Sequence, residues 1–403
     1  MLEESLINAI EVSPHDPATA YIAVTRYKFN DLSPMIFVTR DYGKSWNKIT
    51  NGLPDNNFVR VVREDRNKKG LLYAGTEGGL FISLNDGENW QAVQSNLPVC
   101  PITDLTIADN DLVVATSGRA FWILDDLSAL QQSGGLPDTT ALAIFQPKPT
   151  VKYTLSSSNA PHNGKNPPAG IILDYYLPHN WADSTVLSME ITNSYGTVLR
   201  SYSSKKPEKF KTWEGGPSKP VQLPAKAGLN RFNWDLRTDP VPAVDGIFVM
   251  GSHNGHFVNP GTYTIRLKSD SLTVETKAEI LPIPNLRSND SEHGKQQDML
   301  NQIDEAITDI HNSVNRFRGV KEQLENRLKF LRDQEGQEAL LEKGDAALNA
   351  ITDWEENLIQ PKQKTFQDVI NFRNKLNAEL IFLKSVIDTF EPKVTDQAQA
   401  RFE

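Results

Sequence analysis

The sequence has very little cysteine. Cys100 is the only one among 403 residues, which excludes an intrachain disulfide framework and a zinc site built from several cysteines. No apolar run approaches the length of about 18 residues that a transmembrane helix requires, so no membrane span is expected. The first residues, Met1–Asn8, lack a basic segment followed by an apolar one, so no signal peptide is predicted. Phosphate-loop, metalloprotease and dinucleotide-binding motifs are also missing, and no cofactor is expected.

Positive charge is scarce as well. The chain has 42 Lys and Arg against 51 Asp and Glu, a formal net charge of −9. Because nucleic-acid binding depends on neutralising phosphates, an acidic chain is a poor candidate for it. Hydrophobic residues make up 38% of the chain, which is enough to form buried cores. The length predicts two to four domains.

One turn motif occurs twice, 44 residues apart. The segments Phe37–Trp46 and Phe81–Trp90 both fit the pattern Ser/Thr-x-Asp/Asn-x-Gly-x-x-Trp. The defining positions are Asp41, Gly43 and Trp46 in the first copy, and Asn85, Gly87 and Trp90 in the second. The Asp or Asn side chain can accept backbone N–H bonds, the glycine permits positive φ, and the tryptophan covers the hairpin. A decayed third copy, Phe121–Asp125, keeps the apolar residues and the aspartate.

Short alternating apolar segments lie between these copies. They are Ala20–Val24, Phe58–Val62, Leu71–Ala74 and Leu112–Ala115. Segments of this kind, bounded by Asp, Asn, Gly or Pro, indicate strands. Four short strands in each 40–45 residues are typical of a β-propeller blade, so residues 1–135 are predicted to form about three blades. Three blades cannot close a ring, and the chain begins almost inside a strand. We therefore expect either upstream blades that are missing from this chain, or exposed sheet edges that pair with partners.

The remaining sequence divides at a change of periodicity. Residues 140–285 keep a β pattern without the repeat, which predicts an immunoglobulin-like sandwich. Its strand candidates are Ile171–Tyr176, Val186–Ile191, Gly228–Trp234, Thr262–Leu267 and Leu272–Thr276, with a surface loop at Ser156–Gly170. Residues 292–403 have apolar side chains every three or four positions, which predicts a bundle of three helices. These helices are expected near Ile303–Leu331, Leu340–Leu358 and Phe366–Phe390.

The paired turns resemble the Asp-boxes, or BNR repeats, of the sortilin/VPS10-like and sialidase-like propeller superfamily. The segment Asp111–Asp126 resembles the last-blade signature of exported bacterial propeller proteins that are labelled glycosyl hydrolases, although Ser117 stands where that group usually has histidine. The resemblance implies that the amino-terminal majority of the propeller is absent, and that the parent protein is periplasmic or extracellular. It also implies that the boxes lie on the outer rim, away from the central axis where substrates bind.

Few residues suggest catalysis. Asp41 and Asn85 are interpreted as turn residues, since their pattern identifies a fold more than an activity. A glycosidase needs two carboxyl groups across a cleft, and the candidates are Asp104, Asp109, Asp111, Asp125 and Asp126. A sialidase-like site would need clustered arginines, for which only Arg60, Arg63, Arg66 and Arg119 are available. Arg119 and Asp125 are the possible ligand contacts, against the alternatives of a structural ion pair or solvated side chains.

Two other residue groups admit a functional and a structural interpretation. His253 and His256 have a spacing that suits a metal on a helix, but Gly255 and Pro260 indicate a loop, and no metal is predicted. The aromatic residues of the sandwich could stack on a sugar, but alternating aromatics in strands are more often core. They are Trp213, Trp234, Tyr175, Tyr176 and Tyr263.

Three functions therefore remain open at this point. The first is a non-catalytic segment of an exported Asp-box propeller protein that binds protein or carbohydrate. The second is a glycoside hydrolase whose active site lies largely on missing upstream blades. The third is a structural role, in which the sandwich and the helices support a propeller or mediate assembly.

Overall fold

A computed structural model describes residues 4–93, 95–132, 141–153, 164–180, 186–207, 209–269, 272–286 and 288–403. Most of the Ser156–Gly170 loop predicted above lies outside these ranges. The chain divides into two compact units. The first comprises Met1–Lys148, Ile172–Asn180 and Lys226–Arg231, and the second comprises Pro149–Ile171, Trp181–Ala225 and Phe232–Glu403. The three-domain division expected from the sequence stays a prediction.

The first unit begins with two four-stranded antiparallel sheets of the same topology, in which strands follow one another in chain order. The first meander has the strands β1 Leu6–Val12, β2 Ala20–Thr25, β3 Ile36–Thr39 and β4 Asn47–Lys48. The second meander has β5 Val59–Glu64, β6 Leu72–Thr76, β7 Gly79–Ser83 and β8 Gln91–Ala92. A third sheet has the strands β9 Ile102–Ala108, β10 Asp111–Thr116 and β11 Phe121–Leu124, also in chain order.

Consecutive meanders share buried cores. One core joins Tyr21 and Ala23 of β2 to Val62 of β5. A second core joins Tyr73 of β6 to Leu105 of β9. The alternating apolar residues thus face each other across neighbouring sheets, as period-2 patterning requires. The sheets and their order agree with the strand pattern of the sequence, while their identity as propeller blades stays a prediction.

Residues 140–285 contribute two further sheets. A three-stranded sheet contains β12 Ala143–Ile144, β14 Ile171–Leu177 and β17 Gly228–Trp234 in the order β12-β14-β17. A five-stranded sheet of the second unit has the order β13-β19-β18-β15-β16. Its strands are β13 Thr150–Val151, β15 Ser188–Thr192, β16 Val198–Ser203, β18 Gly261–Ser269 and β19 Leu272–Leu281. β13 pairs in parallel with β19, and the other pairings are antiparallel. The immunoglobulin-like arrangement stays a prediction.

The aromatic residues of these strands are largely internal. Trp234 and Tyr175 are fully buried, and Tyr263 is 6% exposed. The rings of Trp234 and Tyr263 meet edge to face with centroids 5.4 Å apart, a favourable geometry for aromatic pairs. These three residues therefore belong to the core, as the structural interpretation of the sequence predicts.

The rest of the second unit is helical. Apart from α1 Ser128–Gln132 in the first unit, the α-helices of the described ranges are α2 Asp290–Leu331, α3 Glu338–Leu358, α4 Asp368–Asn371, α5 Leu376–Ile387 and α6 Asp396–Phe402. A capping box between Asn289 and Glu292 begins α2. Ile303 and Ile307 of α2 pack with Ile381 of α5 in a common core. All helices in the described ranges are too short or too polar to serve as transmembrane spans.

The third apolar segment differs from the sequence prediction. It forms two helices, α4 and α5, where the periodicity predicts one helix over Phe366–Phe390. The chain is extended at Phe372 and Lys375. The buried amide of Gln363 donates to the carbonyl of Phe372 (2.7 Å) and to Oδ1 of Asn374 (3.1 Å). These bonds stabilise the break between the helices, because they satisfy backbone and side-chain acceptors without a helical partner.

Candidate functional site

The first predicted box is a closed turn stabilised by its own side chains. Asp41 Oδ1 accepts hydrogen bonds from Ser45 N (2.9 Å) and Thr39 Oγ1 (2.8 Å), and Asp41 Oδ2 accepts from Ser45 Oγ (2.6 Å). Gly43 N donates to Thr39 Oγ1 (2.9 Å). Tyr42 and Gly43 both have positive φ, 61° and 83°. The hydroxyl and N–H of Ser45 lower the pKa of Asp41 to about 2, since they stabilise the ionised carboxylate.

The second box repeats this geometry with different side chains. Asn85 Oδ1 accepts from Asn89 N (3.0 Å) and from Ser83 Oγ (3.0 Å). Gly87 N donates to Ser83 Oγ (2.9 Å), and Asp86 and Gly87 have φ of 57° and 84°. An amide thus replaces the carboxylate of the first box at the same point of the turn. The turn therefore requires an acceptor oxygen at this position, but it does not require a negative charge.

The tryptophan of the second box is anchored to the first meander. Trp90 is 3% exposed, its Nε1 donates to the carbonyl of Ile49 (2.9 Å), and its backbone N–H donates to the carbonyl of Asn51 (2.9 Å). Gly52 has φ +92°, and a Cβ there would lie 2.4 Å from the carbonyl oxygen of Trp90. The close backbone approach thus requires glycine at this position. Trp46, the equivalent residue of the first box, is only half-buried.

A second group of charged residues surrounds Asp111, which begins β10. Asp111 Oδ1 accepts from Lys148 Nζ (2.9 Å) and from the backbone N–H of Asp126 (2.8 Å). Asp126 is 4% exposed, and its Oδ1 accepts from the N–H of Ser128 (3.0 Å) at the start of α1. Asp125 is half-buried beside these groups. We call Asp111, Asp125, Asp126 and Lys148 the Asp111 cluster.

Asp125 differs electrostatically from the other members of the cluster. Burial raises the pKa of the Asp125 carboxyl, and the carboxylate of Asp111 raises it further. The cations of Arg231 and Lys148 act in the opposite direction and are outweighed. A carboxyl group with a raised pKa beside an ionised one is the arrangement that general acid catalysis uses. Asp125 therefore has the raised pKa that a catalytic acid needs, a property it shares with Glu11 of β1, whose pKa burial also raises.

An ion pair that the sequence analysis did not predict lies next to this cluster. Arg231 of β17 donates through Nε and an Nη to both carboxylate oxygens of Asp174 in β14 (2.9 and 2.8 Å). Arg231 also donates to the backbone carbonyls of Asp125 (2.8 Å) and Asp126 (3.4 Å). Asp174 is 4% exposed. A charged residue inside the apolar segment Ile171–Leu177 was the available signal, because buried aspartates are rarely unpaired.

Arg119 and Asp125, the two possible ligand contacts, are not brought together. Arg119 lies in the exposed turn before β11, where its N–H donates to Thr116 Oγ1 (3.1 Å) and its carbonyl accepts from Trp122 Nε1 (2.9 Å). Asp125 follows the other end of β11. The four residues of β11 span about 13 Å at roughly 3.3 Å per residue. Arg119 has no ion-pair partner within the part of the chain that the structure describes.

Two arginines named as sialidase-like candidates are paired with carboxylates. Arg60 contacts Glu77 (2.6 Å), and Arg63 contacts Asp104 (2.8 Å) and Glu11 (3.4 Å). Arg63 also donates to a backbone carbonyl (2.8 Å). These guanidinium groups are therefore engaged in the fold rather than gathered around one open position.

His253 and His256 are both buried, and His256 lies in a polar network. His256 Nδ1 is 2.7 Å from Asp304 Oδ2, its Nε2 contacts Gln297, and Lys384 Nζ is 2.6 Å from Asp304 Oδ1. Burial lowers the pKa of His253 to about 4. Over the residues with described positions, no group of three or more His, Cys, Asp or Glu is arranged to hold a metal ion.

Comparison with known proteins gives no family assignment. No family model matches the chain, and no curated protein matches it. Solved structures that match include YCF48 bound to D1 peptide (22% identity, TM-score 0.24, 31% of this chain and 39% of that chain). Another is the GH74 enzyme of Niastella koreensis, with 11% identity and a TM-score of 0.24 over 68% of this chain and 46% of that chain. A third is the GH74 xyloglucanase from Xanthomonas campestris, with 14% identity and a TM-score of 0.25 over 72% of this chain and 40% of that chain. This chain spans less than half the length of each. TM-scores this low do not establish a shared fold, so function depends on the residues described above.

Proposed function

We propose that this chain is a non-catalytic segment of an exported Asp-box β-propeller protein, and that it binds protein or carbohydrate. The observation that carries this proposal is the geometry of the two boxes. The acceptor groups of Asp41 and Asn85 are both directed to the N–H and hydroxyl groups of their own turns. Since the amide of Asn85 serves as well as the carboxylate of Asp41, this position must provide a hydrogen-bond acceptor for the turn. It does not need an ionisable group.

The arrangement of the meanders supports the propeller part of the proposal. Two four-stranded meanders and a three-stranded sheet follow one another along the first 130 residues, and each shares a buried core with the next. This is the order that blades of a propeller have. The link between them is partly made by the boxes, because Trp90 of the second meander hydrogen-bonds to Ile49 after the first.

The hydrogen bonds of the Asp111 cluster argue against catalysis. Its carboxylates, apart from that of Asp125, accept bonds from Lys148 and from backbone N–H groups. A retaining or inverting glycosidase needs one carboxylate that is free to act as nucleophile or base opposite the acid. The paired state of Asp111 and Asp126 makes them poor candidates for that second role.

Glycoside hydrolysis is the second candidate, and one observation favours it. The raised pKa of Asp125 suits a general acid, and a nucleophile or base could come from blades outside this chain. The two proposals differ in what Asp125 does, so a single substitution separates them. Asp55 is an exposed aspartate of the same unit that is not one of the candidate carboxyl groups, and it provides a matched control.

The test uses the whole chain on a panel of neutral and acidic polysaccharides, with reducing sugar release and glycan-array binding as the readouts. We expect binding without release of sugar, unchanged in Asp125→Asn and Asp55→Asn. Hydrolysis that is abolished in Asp125→Asn and retained in Asp55→Asn would replace this proposal with the glycosidase. If the glycan array and a protein pull-down are both silent, the binding role is wrong and the structural role is favoured.

A further inference from the structure

The three successive sheets of the first unit carry equivalent rows of side chains. Residues that pair directly across an antiparallel sheet lie on one face, and neighbouring rows lie on opposite faces. One row in each sheet begins with an apolar residue of the first strand, and we call the face that carries it the front face. These rows are Ile10, Ile22 and Phe37 in the first sheet, Val62, Ala74 and Phe81 in the second, and Leu105, Val114 and Trp122 in the third.

The opposite faces carry equivalent rows as well, and we call them the back faces. Each of these rows has an apolar residue in the second strand and another in the third strand. The rows are Glu11, Tyr21 and Val38 in the first sheet, Arg63, Tyr73 and Ile82 in the second, and Thr106, Val113 and Ile123 in the third.

Within the chain, the back face of one sheet packs on the front face of the next. Tyr21 of the first back face shares a buried core with Val62 of the second front face. Tyr73 of the second back face shares a buried core with Leu105 of the third front face. β5 lies against β1 and β2, and β9 lies against β5 and β6 in the same way. The three sheets are therefore joined by one type of contact that is used twice.

The front face at the beginning of this series is open. Ile10 of the first sheet is 63% exposed, whereas Val62 and Leu105, at the equivalent position of the next two sheets, are buried. Val12 lies on the same face as Ile10, two positions along β1, and is 64% exposed. The first front face thus has the apolar residues of the other two front faces, but no described part of the chain covers Ile10 and Val12.

The back face at the end of the series is also open. Ile123 of the third sheet is 58% exposed, whereas Val38 and Ile82, at the equivalent position of the first two sheets, are buried. Phe121 lies on the same face as Ile123 and is 76% exposed. This face therefore has the apolar residues that cover a front face elsewhere in the molecule.

A second copy of the chain offers the complement of both open faces at once. The third back face of one copy can pack on the first front face of the other, by the contact that already joins the sheets within the chain. Because this contact runs head to tail, two copies form it twice and leave neither face open. Two sets of three sheets make six, which lies within the four to eight blades that propellers contain.

We propose that two copies of this chain associate head to tail, with Ile123 and Phe121 of each copy covering Ile10 and Val12 of the other, so that six sheets form one closed ring. This inference rests on the propeller arrangement proposed above for the three sheets.

The experiment measures the mass of the full chain by sedimentation velocity over a range of concentrations. The two principal variants are Ile10→Lys and Ile123→Lys, each of which puts a charge at an exposed position of one open face. Val99→Lys makes a similar change at an exposed valine in the loop between β8 and β9, outside both faces. Urea unfolding of each variant shows that the fold is retained.

We expect the wild type and Val99→Lys to sediment with twice the mass of the chain. Each face variant should weaken the association by about tenfold or more, because the contact would bury an unpaired lysine. A mixture of the Ile10→Lys and Ile123→Lys chains can form one contact without a lysine. The mixture should therefore associate more tightly than either variant alone.

A monomeric wild type would overturn the proposal, and would mean that the open faces do not recognise each other. An association that Ile10→Lys abolishes and Ile123→Lys retains would also overturn it, in favour of pairing between like faces. Species whose mass keeps growing beyond two copies would contradict the closed ring. No ligand is present in these measurements, so a failure here is distinct from a failure of the proposed binding function.

Discussion

Gly43 and Gly87 occupy the same point of the two boxes and have nearly the same φ, +83° and +84°. Replacing either with alanine places a Cβ in the left-handed region, which costs about 1–2 kcal/mol. Their surroundings differ. A Cβ at Gly43 has its nearest neighbour, a ring atom of Trp46, at 3.9 Å, whereas a Cβ at Gly87 would lie 2.5 Å from Cδ1 of Ile49.

The two substitutions should therefore differ by the cost of overpacking alone. Forcing an extra methyl group into a packed position costs about 1–3 kcal/mol. We expect Gly43→Ala to lower the free energy of unfolding by about 1–2 kcal/mol and Gly87→Ala to lower it by about 2–5 kcal/mol. Adding Ile49→Ala should recover part of the loss in Gly87→Ala, because the shortened side chain makes room for the Cβ.

Urea unfolding followed by tryptophan fluorescence measures this difference. A gap of about 2 kcal/mol corresponds to a midpoint shift of roughly 1 M at a slope of about 2 kcal/mol/M. Amide hydrogen exchange of the second meander shows whether the loss is local to it. Equal losses in the two alanine variants, or no coupling with Ile49→Ala, would refute the packing of the second box against the first meander.

Three further predictions follow from the charged residues. Because the pKa of Asp41 is lowered to about 2, its contribution to stability is present above its ordinary pKa and lost as pH falls from about 4 to about 2. An acid titration of the urea midpoint should show this loss in the wild type and not in Asp41→Asn, and equal acid sensitivity would contradict it. Arg231→Ala leaves the buried carboxylate of Asp174 unpaired and should cost about 3 kcal/mol, with partial recovery in a double variant with Asp174→Asn; additive losses in urea unfolding would argue against the pair. The pKa of His253 is lowered by burial to about 4, so the folded state loses stability as pH falls from about 6.5 towards 4, and His253→Asn should show a smaller loss in thermal unfolding between these pH values.

The elements that the sequence predicts well are those fixed by local pattern. Strands such as Ala20–Thr25 alternate or run apolar between turn residues, and the box turns depend on residues only two to four positions apart. The helices α2 and α3 have a repeated apolar face. The bounds of α3 lie close to those expected, whereas α2 begins at Asp290, 13 residues before the expected start at Ile303. Local spacing carries this information because hydrogen bonding in turns and helices is itself local.

What the sequence did not predict depends on distant contacts. The break between α4 and α5 is stabilised by Gln363, which reaches across to Phe372 and Asn374, and no helical periodicity shows such a bond. The pair of Asp174 and Arg231 joins residues 57 positions apart. Lys148, which pairs with Asp111 across 37 positions, lies outside every motif. The sequence motif gave Arg119 and Asp125 as candidates, although these residues flank opposite ends of β11. The partners of Asp125 come from distant parts of the chain, so the motif could not reveal them.

The central claim is that the boxes stabilise the fold and take no part in binding or catalysis. The direct measurement is the urea midpoint of the double variant Asp41→Ala with Asn85→Ala, together with its binding and hydrolysis profile on the polysaccharide and protein panel. If the boxes are structural, the double variant should have a lower urea midpoint than the wild type. Its binding and hydrolysis, expressed per folded molecule, should equal those of the wild type. An unchanged midpoint with lost binding or altered hydrolysis would contradict it.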